Sequence, residues 1–302
     1  MKPLRESDAW SCWLLDKRFG GDQEFAAQYL KILQPVRTAV LDGARVAEEA
    51  VLLDVGAGDG LIAFGALERV GPRGRVIFAD VSRPLLEHAE ALARDRGVMD
   101  RCMFVHAGAE NLHGVSSDSV DAVTTRSVLI YVGDKRAAFG EFYRVLKPGG
   151  RISLFEPINR YRALAEPPTR VFGVEIPEVA DLAQRLGTFY GQRQPPDTDP
   201  MMNFDERDLV ALAEAAHFVD IHLALHILVR PRPPMKWDVA LRASGNPHIP
   251  SLGEAMGQLF TADEIARYEA CVRPVVERGT GIRREAVAFL VASKPTALEP
   301  AF

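Results

Sequence analysis

A glycine-rich segment is the part of this sequence most able to bind a ligand. The segment Val51–Ala63 runs from apolar residues through Asp54 into three glycines, Gly56, Gly58 and Gly60, and then into a second apolar stretch. Glycine tolerates positive φ and lets a ligand approach the main chain because it has no Cβ. The free N–H groups at the start of the next helix can bind a polar or anionic group. The pattern predicts a strand, a tight turn and a helix that could hold a nucleotide.

The acid Asp80 narrows the choice of ligand, since it ends the next predicted strand, Val76–Ala79. In dinucleotide-binding folds an acid at this place accepts hydrogen bonds from ribose hydroxyls. We therefore expect a ligand that contains adenosine. The alternative is a helix-capping aspartate with no ligand.

The elements that must position these residues alternate regularly from Val51 to Pro157. After the first strand and helix, the sequence predicts further strands and helices with short links; these are the strands 76–79, 103–106, 119–124 and 151–155, and the helices 82–96 and 135–146. Alternating strands and helices imply a parallel sheet with helices on both faces. Ligands of such sheets bind at the carboxyl ends of the strands. The glycine turn and Asp80 would both lie there.

The segments outside this unit suggest a cap. We expect a helix at about 22–47 that breaks or restarts at Pro35, and two strands, 219–229 and 286–292, that pair antiparallel at the sheet edge across a long insertion. The expected division has six parts. Residues 1–44 form an N-terminal helical lid, residues 45–157 the core and residues 158–202 a cap insertion. Residues 203–230 continue the core, residues 231–283 form a helical cap insertion, and residues 284–302 form a closing strand with a tail. The segment Arg18–Asp22 would be the hinge of the lid, with simple packing of the terminal helix as the alternative.

The composition of the chain excludes several classes of protein. A net charge of −5 and the absence of a basic run argue against nucleic-acid binding. The apolar stretches are too short to cross a bilayer, so no membrane partner is expected. Three widely separated cysteines and the lack of an apolar leader favour a cytoplasmic location. Self-association is left open.

Five motifs in order resemble those of the class I S-adenosylmethionine-dependent methyltransferases. They are Asp54–Gly60, Val76–Asp80, Gly108–Leu112, Asp121–Val123 and Leu146–Gly150. No glycine stands near Ala63, where a dinucleotide site would have its third one. The resemblance covers residues 45–160 strongly and the closing strands more weakly. It implies an α/β fold with a Rossmann-like, doubly wound, seven-stranded sheet, mostly parallel with an antiparallel edge strand, plus a mainly helical cap. It also implies S-adenosyl-L-methionine as the cofactor.

The resemblance assigns cofactor contacts to particular residues. The turn would face the methionyl and ribose parts of the cofactor, Asp54 its ammonium group, Asp80 its ribose diol and Val81 its adenine face. The remaining residues implied for the site are Ala57 in the turn, Gly108, Ala109 and Glu110 at the adenine edge, and Arg126 and Ser127 on the floor. Because the family often has an acid where Gly108 stands, adenine recognition would rest on main-chain groups or on Glu110.

The cofactor carboxylate and the methyl acceptor are harder to place. Arg37 or Tyr29 could reach the carboxylate, with a surface arginine and a core tyrosine as the alternative. Candidate bases are Tyr131, Glu156 and His248, each with a structural role as its alternative, so the catalytic residue stays unassigned. His222 and His226 lie on one strand face without a third ligand, and no metal site is expected.

The insertions indicate the class of acceptor. They are rich in aromatic and aliphatic residues, which favours a medium-sized, largely apolar small molecule that is methylated on O, N or C, as in secondary metabolism. Two other functions are weighed. One is a non-catalytic protein that binds the cofactor for regulation or scaffolding. The other is an NAD-dependent oxidoreductase, which would need a glycine near Ala63.

Overall fold

A computed structural model of the chain describes residues 8–296. Its centre is a seven-stranded sheet with helices on both faces. The strands are β1 (Val51–Val55), β2 (Arg75–Asp80), β3 (Cys102–His106), β4 (Val120–Arg126), β5 (Leu146–Pro157), the hairpin strands β6 (Arg170–Val171) and β7 (Val174–Glu175), β8 (Val219–Pro231) and β9 (Ile282–Ser293). The α-helices are α1 (Ala9–Cys12), α2 (Gln23–Ala44), α3 (Leu61–Arg69), α4 (Arg83–Asp95), α5 (Lys135–Val145), α6 (Asn159–Ala165), α7 (Ala180–Arg193), α8 (Glu206–Ala215), α9 (Trp237–Arg242), α10 (Leu252–Leu259) and α11 (Ala262–Arg278).

The strand order of the sheet is β3-β2-β1-β4-β5-β9-β8. Strands β1 to β5 are parallel, and β9 runs antiparallel to both β5 and β8. The predicted fold and the antiparallel pairing at the sheet edge are therefore confirmed. The chain leaves β1 toward β2 and later returns on the other side as β4. Such a reversal opens a crevice at the carboxyl ends of these strands, where ligands bind in folds of this kind.

The two faces of the sheet are covered by different helices. One face packs against α2, α3 and α4 through residues such as Leu41, Leu52 and Phe78. The other packs against α5 and α8 through residues such as Leu53 and Phe142. Alternate residues of β1 point to opposite faces, as the period of a strand requires. The central strands β1, β2, β4 and β5 are thus largely buried on both sides, whereas the edge strand β8 is mostly exposed.

The helix α2 differs from the prediction at Pro35, because it continues through the proline without a break. Pro35 and Lys31, four residues before it, are both exposed, so water can satisfy the carbonyl that proline leaves without a donor. The C-terminal half of α2 is fixed to the sheet. There the Ser153 hydroxyl donates to the Val40 carbonyl at 2.7 Å.

The two cap insertions share a hydrophobic cluster separate from the two beside the sheet. It is formed mainly by α7, α9, α10 and α11, and Trp237 and Tyr268 are among its buried residues. No helix within residues 8–296 is long and apolar enough to cross a membrane.

The N-terminal segment Asp8–Lys17 lies over the carboxyl ends of the strands and connects the core to the cap. The Asp8 carboxylate accepts from the Ser82 hydroxyl at 3.1 Å, beside the end of β2. The Trp13 indole donates to the Ser244 carbonyl at 2.9 Å, beyond α9. Gly20 and Gly21 follow this segment, and both have positive φ. That Arg18–Asp22 acts as a hinge stays a prediction.

The loop after β4 is held by one buried carboxylate, that of Glu156 on β5. It accepts from the N–H groups of Val128, Leu129 and Ile130 at 3.0 to 3.2 Å and from the Thr125 hydroxyl at 3.1 Å. Burial raises the pKa of Glu156 to about 7, although these four hydrogen bonds oppose the shift. The side chain thus fixes the loop that borders the crevice.

The raised pKa of Glu156 predicts a dependence of stability on pH. Between pH 4.5 and about 7 the folded protein keeps a proton that the unfolded chain has lost, so the contribution of Glu156 to stability falls as the pH rises. In Glu156→Gln this slope should vanish. From pH 5 to pH 7, the stability of the wild type relative to Glu156→Gln should fall by about 2 kcal/mol.

Thermal unfolding at the two pH values measures this change, and the exposed Glu87→Gln is the control. Parallel pH profiles for the wild type and Glu156→Gln would contradict the prediction.

Candidate functional site

The glycine turn after β1 adopts a backbone that other residues rarely adopt. Gly56, Gly58 and Gly60 have φ of +66°, +54° and +83°. A Cβ on Gly56 would lie 2.3 Å from a methyl of Val128, and one on Gly60 would lie 2.4 Å from the ring of Phe64. Gly56 and Gly58 line a cavity at the strand ends. Gly60 does not line it; it begins α3 and allows close packing there.

Asp80 lies at the end of β2 and lines the same cavity. One of its carboxylate oxygens accepts from the Gly58 N–H and the other from the Ser82 N–H, both at 2.8 Å. Burial raises the pKa of Asp80. Each oxygen keeps a lone pair for a further donor. Val81 follows it with half of its surface exposed, and so offers an apolar platform beside the carboxylate.

The opposite wall of the cavity comes from the ends of β3 and β4. Gly108, Ala109 and Glu110 line it, together with Arg126 and Ser127. Ser127 has a positive φ of +58° and donates its N–H to the Phe155 carbonyl at 2.8 Å. The Glu110 carboxylate accepts from the Asp134 N–H at 2.8 Å. All five residues line the cavity, and their contacts with a cofactor stay a prediction.

Asp54 is placed differently from its predicted position. Its carboxylate accepts from the Thr124 hydroxyl at 2.8 Å and from the Ala63 N–H at 3.2 Å, and it is almost fully buried. Burial raises its pKa to about 7. It is not among the residues that line the cavity. Asp54 therefore joins β1 to β4 and to α3 and lies behind the cavity wall, so a direct contact with the cofactor ammonium group is not what this geometry favours.

Two further predicted residues lie outside the cavity lining. Ala57 is buried in the turn, with its N–H donated to the Ala79 carbonyl. Arg37 packs over Gly65 of α3, because that side of α2 faces the helix. The prediction for Arg37 is corrected on this point. Tyr29, its alternative, does line the cavity.

The arginines that do line this part of the cavity are Arg18 and Arg126. Neither has a carboxylate within ion-pair distance in the described part of the chain. The Arg18 guanidinium lies 5.0 to 5.3 Å from the rings of Trp13, Phe19 and Tyr29. Burial lowers the pKa of Arg126. Arg18 was not predicted as a site residue. The signal in the sequence is its place beside aromatic residues and next to Gly20 and Gly21.

The three candidate bases have different surroundings. Tyr131 lines the cavity, and burial raises its pKa. The Glu156 carboxylate is occupied by the loop that it holds, so it is not available as a base. His248 packs against the rings of Trp10 and Tyr131, with centroids 5.4 and 6.3 Å away, but does not line the cavity.

The cavity has a volume of about 1390 Å³. Pockets for single small ligands usually measure about 300–1000 Å³, so this space exceeds the need of one ligand. From the glycine turn it extends between the N-terminal segment and the cap. Its far end lies where β8 ends and β9 begins. The residues at the strand ends suit a ligand with adenosine, because an acceptor carboxylate, an apolar platform and an open glycine main chain stand together.

Comparison with known proteins supports this view. Residues 28–174 match the model of the ubiE/COQ5 methyltransferase family. Nocamycin O-methyltransferase of Saccharothrix syringae is 32% identical over 134 residues, which are 44% of this chain and 47% of that protein. The match thus spans about half the length of this curated relative.

Solved structures share the fold over most of the chain. A geranyl diphosphate C-methyltransferase from Streptomyces coelicolor A3(2), solved with S-adenosyl-L-homocysteine, has a TM-score of 0.51 at 17% identity and covers 92% of this chain and 88% of its own. The [4+2]-cyclase SpnF has a TM-score of 0.51 at 20% identity, and the alignment covers 87% of this chain and 81% of the SpnF chain.

Sheet order, glycine turn, strand-end acid and family match agree with one another. Residues 28–174 are similar to the ubiE/COQ5 methyltransferase family, and the described chain shares its fold with solved S-adenosylmethionine-dependent methyltransferases.

Proposed function

We propose that this protein transfers the methyl group of S-adenosylmethionine to a medium-sized, largely apolar small molecule. The observation that carries the proposal is the continuity of one cavity. It begins at Gly58 and Asp80 and continues into a chamber lined by apolar side chains of the N-terminal segment and the cap. The cofactor and an acceptor can therefore be held side by side in one continuous cavity.

Binding of the cofactor is assigned to the strand ends. Asp80 would accept from the ribose hydroxyls, Val81 would contact the adenine face, and the Gly56 and Gly58 main chain would face the methionyl part. Arg18 or Arg126 would pair with the carboxylate, since both lack an acidic partner among residues 8–296. Bound S-adenosylmethionine supplies a methyl group on a sulfonium, which has a good leaving group.

The protein then has to hold the acceptor in line and to exclude water. Positioning alone can supply much of the rate of such a displacement. Trp10, Trp13 and Leu14 on the N-terminal segment cover the site. Tyr131 is the polar group best placed to orient an acceptor, since its hydroxyl makes no hydrogen bond within the described residues and stays protonated at neutral pH.

Two other functions are less well supported. An NAD-dependent oxidoreductase would need a glycine where α3 has Ala63, which is fully buried. A non-catalytic or non-methylating role has one argument in its favour, because SpnF, a cyclase, shares the fold. Detection of a methylated product separates this role from the proposed one.

A role in secondary metabolism is supported by the similarity to nocamycin O-methyltransferase. A cytoplasmic location is part of the proposal, and the three widely separated cysteines support it.

Removal of the Asp80 carboxylate should weaken cofactor binding. Asp80→Ala loses the acceptor for the ribose hydroxyls and the support of the Gly58 N–H, and hydrogen bonds to a charged group of this kind correspond to roughly a 10- to 100-fold change in affinity. Calorimetry with S-adenosylhomocysteine measures the change. Asp181→Ala, at an exposed ion pair with Arg267 in the cap, is the control. Equal affinity in Asp80→Ala and the wild type would refute the cofactor assignment.

Replacement of Tyr131 should affect turnover more than cofactor binding. A mass search of cell extract incubated with enzyme and S-adenosylmethionine would identify the product that has gained a methyl group. With that acceptor, Tyr131→Phe should lower kcat roughly 10-fold, because one orienting hydrogen bond is lost. Its affinity for S-adenosylhomocysteine should not change.

Tyr143→Phe, whose ring packs against Phe218 outside the cavity, is the matched control. If Tyr131→Phe kept the wild-type kcat, the hydroxyl would have no role in orienting the acceptor.

A further inference from the structure

The far end of the cavity is built by a part of the sheet that projects beyond its neighbours. β5 ends at Pro157, which pairs with Val287 of β9. β9 begins at Ile282 and, paired with the last residues of β8, extends past that point. Arg283 lies four residues beyond Val287, roughly 13 Å along the strand. Its partner in the register is Arg230 of β8.

This far end is strongly basic. Five arginines line it, together with the one acid Glu285; the arginines are Arg162, Arg230, Arg232, Arg283 and Arg284. Glu285 pairs with Arg230 at 2.6 Å and with Arg283, and Glu166 lies 3.5 Å from Arg284. Five arginines against two glutamates leave an excess of three positive charges. The whole chain has a net charge of −5, so this excess is local.

Arg232 is a member of this group with a buried polar atom that lacks a partner within residues 8–296. Its Nε is buried and has no hydrogen-bond partner among the described residues. The guanidinium lies 5.6 Å from the ring of Phe172. Burial, together with nearby Arg283 and Arg162, lowers the pKa of Arg232 to about 10, so it is still charged at neutral pH. A buried charged donor without a partner is costly, and a bound anion would remove that cost.

The cofactor does not account for these arginines. It has one carboxylate, and Arg18 and Arg126 lie nearer to the glycine turn that would hold it. Its sulfonium and ammonium groups are positive and would be repelled by further cations. A negative group at the far end must therefore belong to another molecule in the cavity.

We propose that the methyl acceptor carries an acidic group, a carboxylate or a phosphate, and that Arg232, with Arg162 and Arg283, binds it at the far end of the cavity. The inference rests on the proposed function, because it assigns the anion to the acceptor. The acceptor would then have an apolar body between its methylated atom and its charge. Arginine suits this role because its planar fork binds carboxylate and phosphate through two donors.

The test uses three probes with the same apolar body: naphthol, naphthoate and naphthyl phosphate, each substituted at the same ring carbon. They are titrated calorimetrically into the full chain saturated with S-adenosylhomocysteine. At least one anionic probe should bind about 10-fold or more tightly than naphthol, as expected for charge-assisted hydrogen bonds. The anion with the higher affinity shows which acidic group the acceptor carries.

The preference for anions should disappear in Arg232→Gln and shrink in Arg283→Gln, while Arg232→Lys keeps part of it. Arg267→Gln, at the exposed ion pair with Asp181, should keep all of it. Equal binding of the three probes by the wild type, including no binding of any, would overturn the inference, as would a preference that survives in both glutamine variants. The wild-type comparison decides the matter even if a variant fails to fold.

Binding of S-adenosylhomocysteine is measured first, which separates the two proposals. If the wild type does not bind it, the proposed function fails, and the assignment of the anion to an acceptor fails with it. If it binds and the probes show no preference, only the inference about the acceptor fails.

Discussion

The hydrogen bond from the Gly58 N–H to the Asp80 carboxylate is the interaction on which the site depends. It joins the turn after β1 to the end of β2, at the point where the strand order reverses. The turn can make this contact only because its glycines take left-handed backbone angles. The same carboxylate faces the cavity, so one group both fixes the turn and offers acceptor oxygens to a ligand. Val81 directly follows β2, and Gly108 lies just after the end of the neighbouring strand β3.

The charge of the residues that line the cavity changes with distance from the glycine turn. Near the turn the cavity has two acids, Asp80 and Glu110, and two arginines, Arg18 and Arg126, that form no ion pair within residues 8–296. At the far ends of β8 and β9 it has an excess of arginine. A positively charged cofactor is attracted by acidic groups near the turn and would be repelled by the excess of arginine at the other end of the cavity. The two ends of the cavity are therefore suited to two different ligands, with apolar side chains between them.

The part of the site that is local in sequence could be predicted from the sequence. The glycine turn, Asp80, Val81 and Ser127 are encoded within single strands and the turns after them, so the residue pattern was sufficient. The direction in which a buried acid points depends on residues that are distant in sequence. Asp54 was therefore given a cofactor contact and Glu156 was a candidate base, whereas in the fold Asp54 bonds to Thr124 and Ala63 and Glu156 holds the loop after β4. Their strands bury both faces, and the sequence pattern is nearly the same for either direction.

The basic end of the cavity could not be predicted from the sequence. Arg230 and Arg283 come together only because β8 and β9 pair across a long insertion. The sequence analysis judged the insertions to be apolar, and the arginines stand at their borders. The course of α2 through Pro35 could not be predicted either, because the proline alone predicts a break and the exposure of Lys31 and Pro35 to water is seen only in the fold.

A crystal structure of the protein with S-adenosylhomocysteine tests the central claim most directly. The account predicts that both ribose hydroxyls lie within hydrogen-bond distance of Asp80, that adenine contacts Val81, and that the sulfur points toward the apolar chamber and Tyr131. A ligand bound elsewhere, or a nucleoside turned away from Asp80, would contradict it.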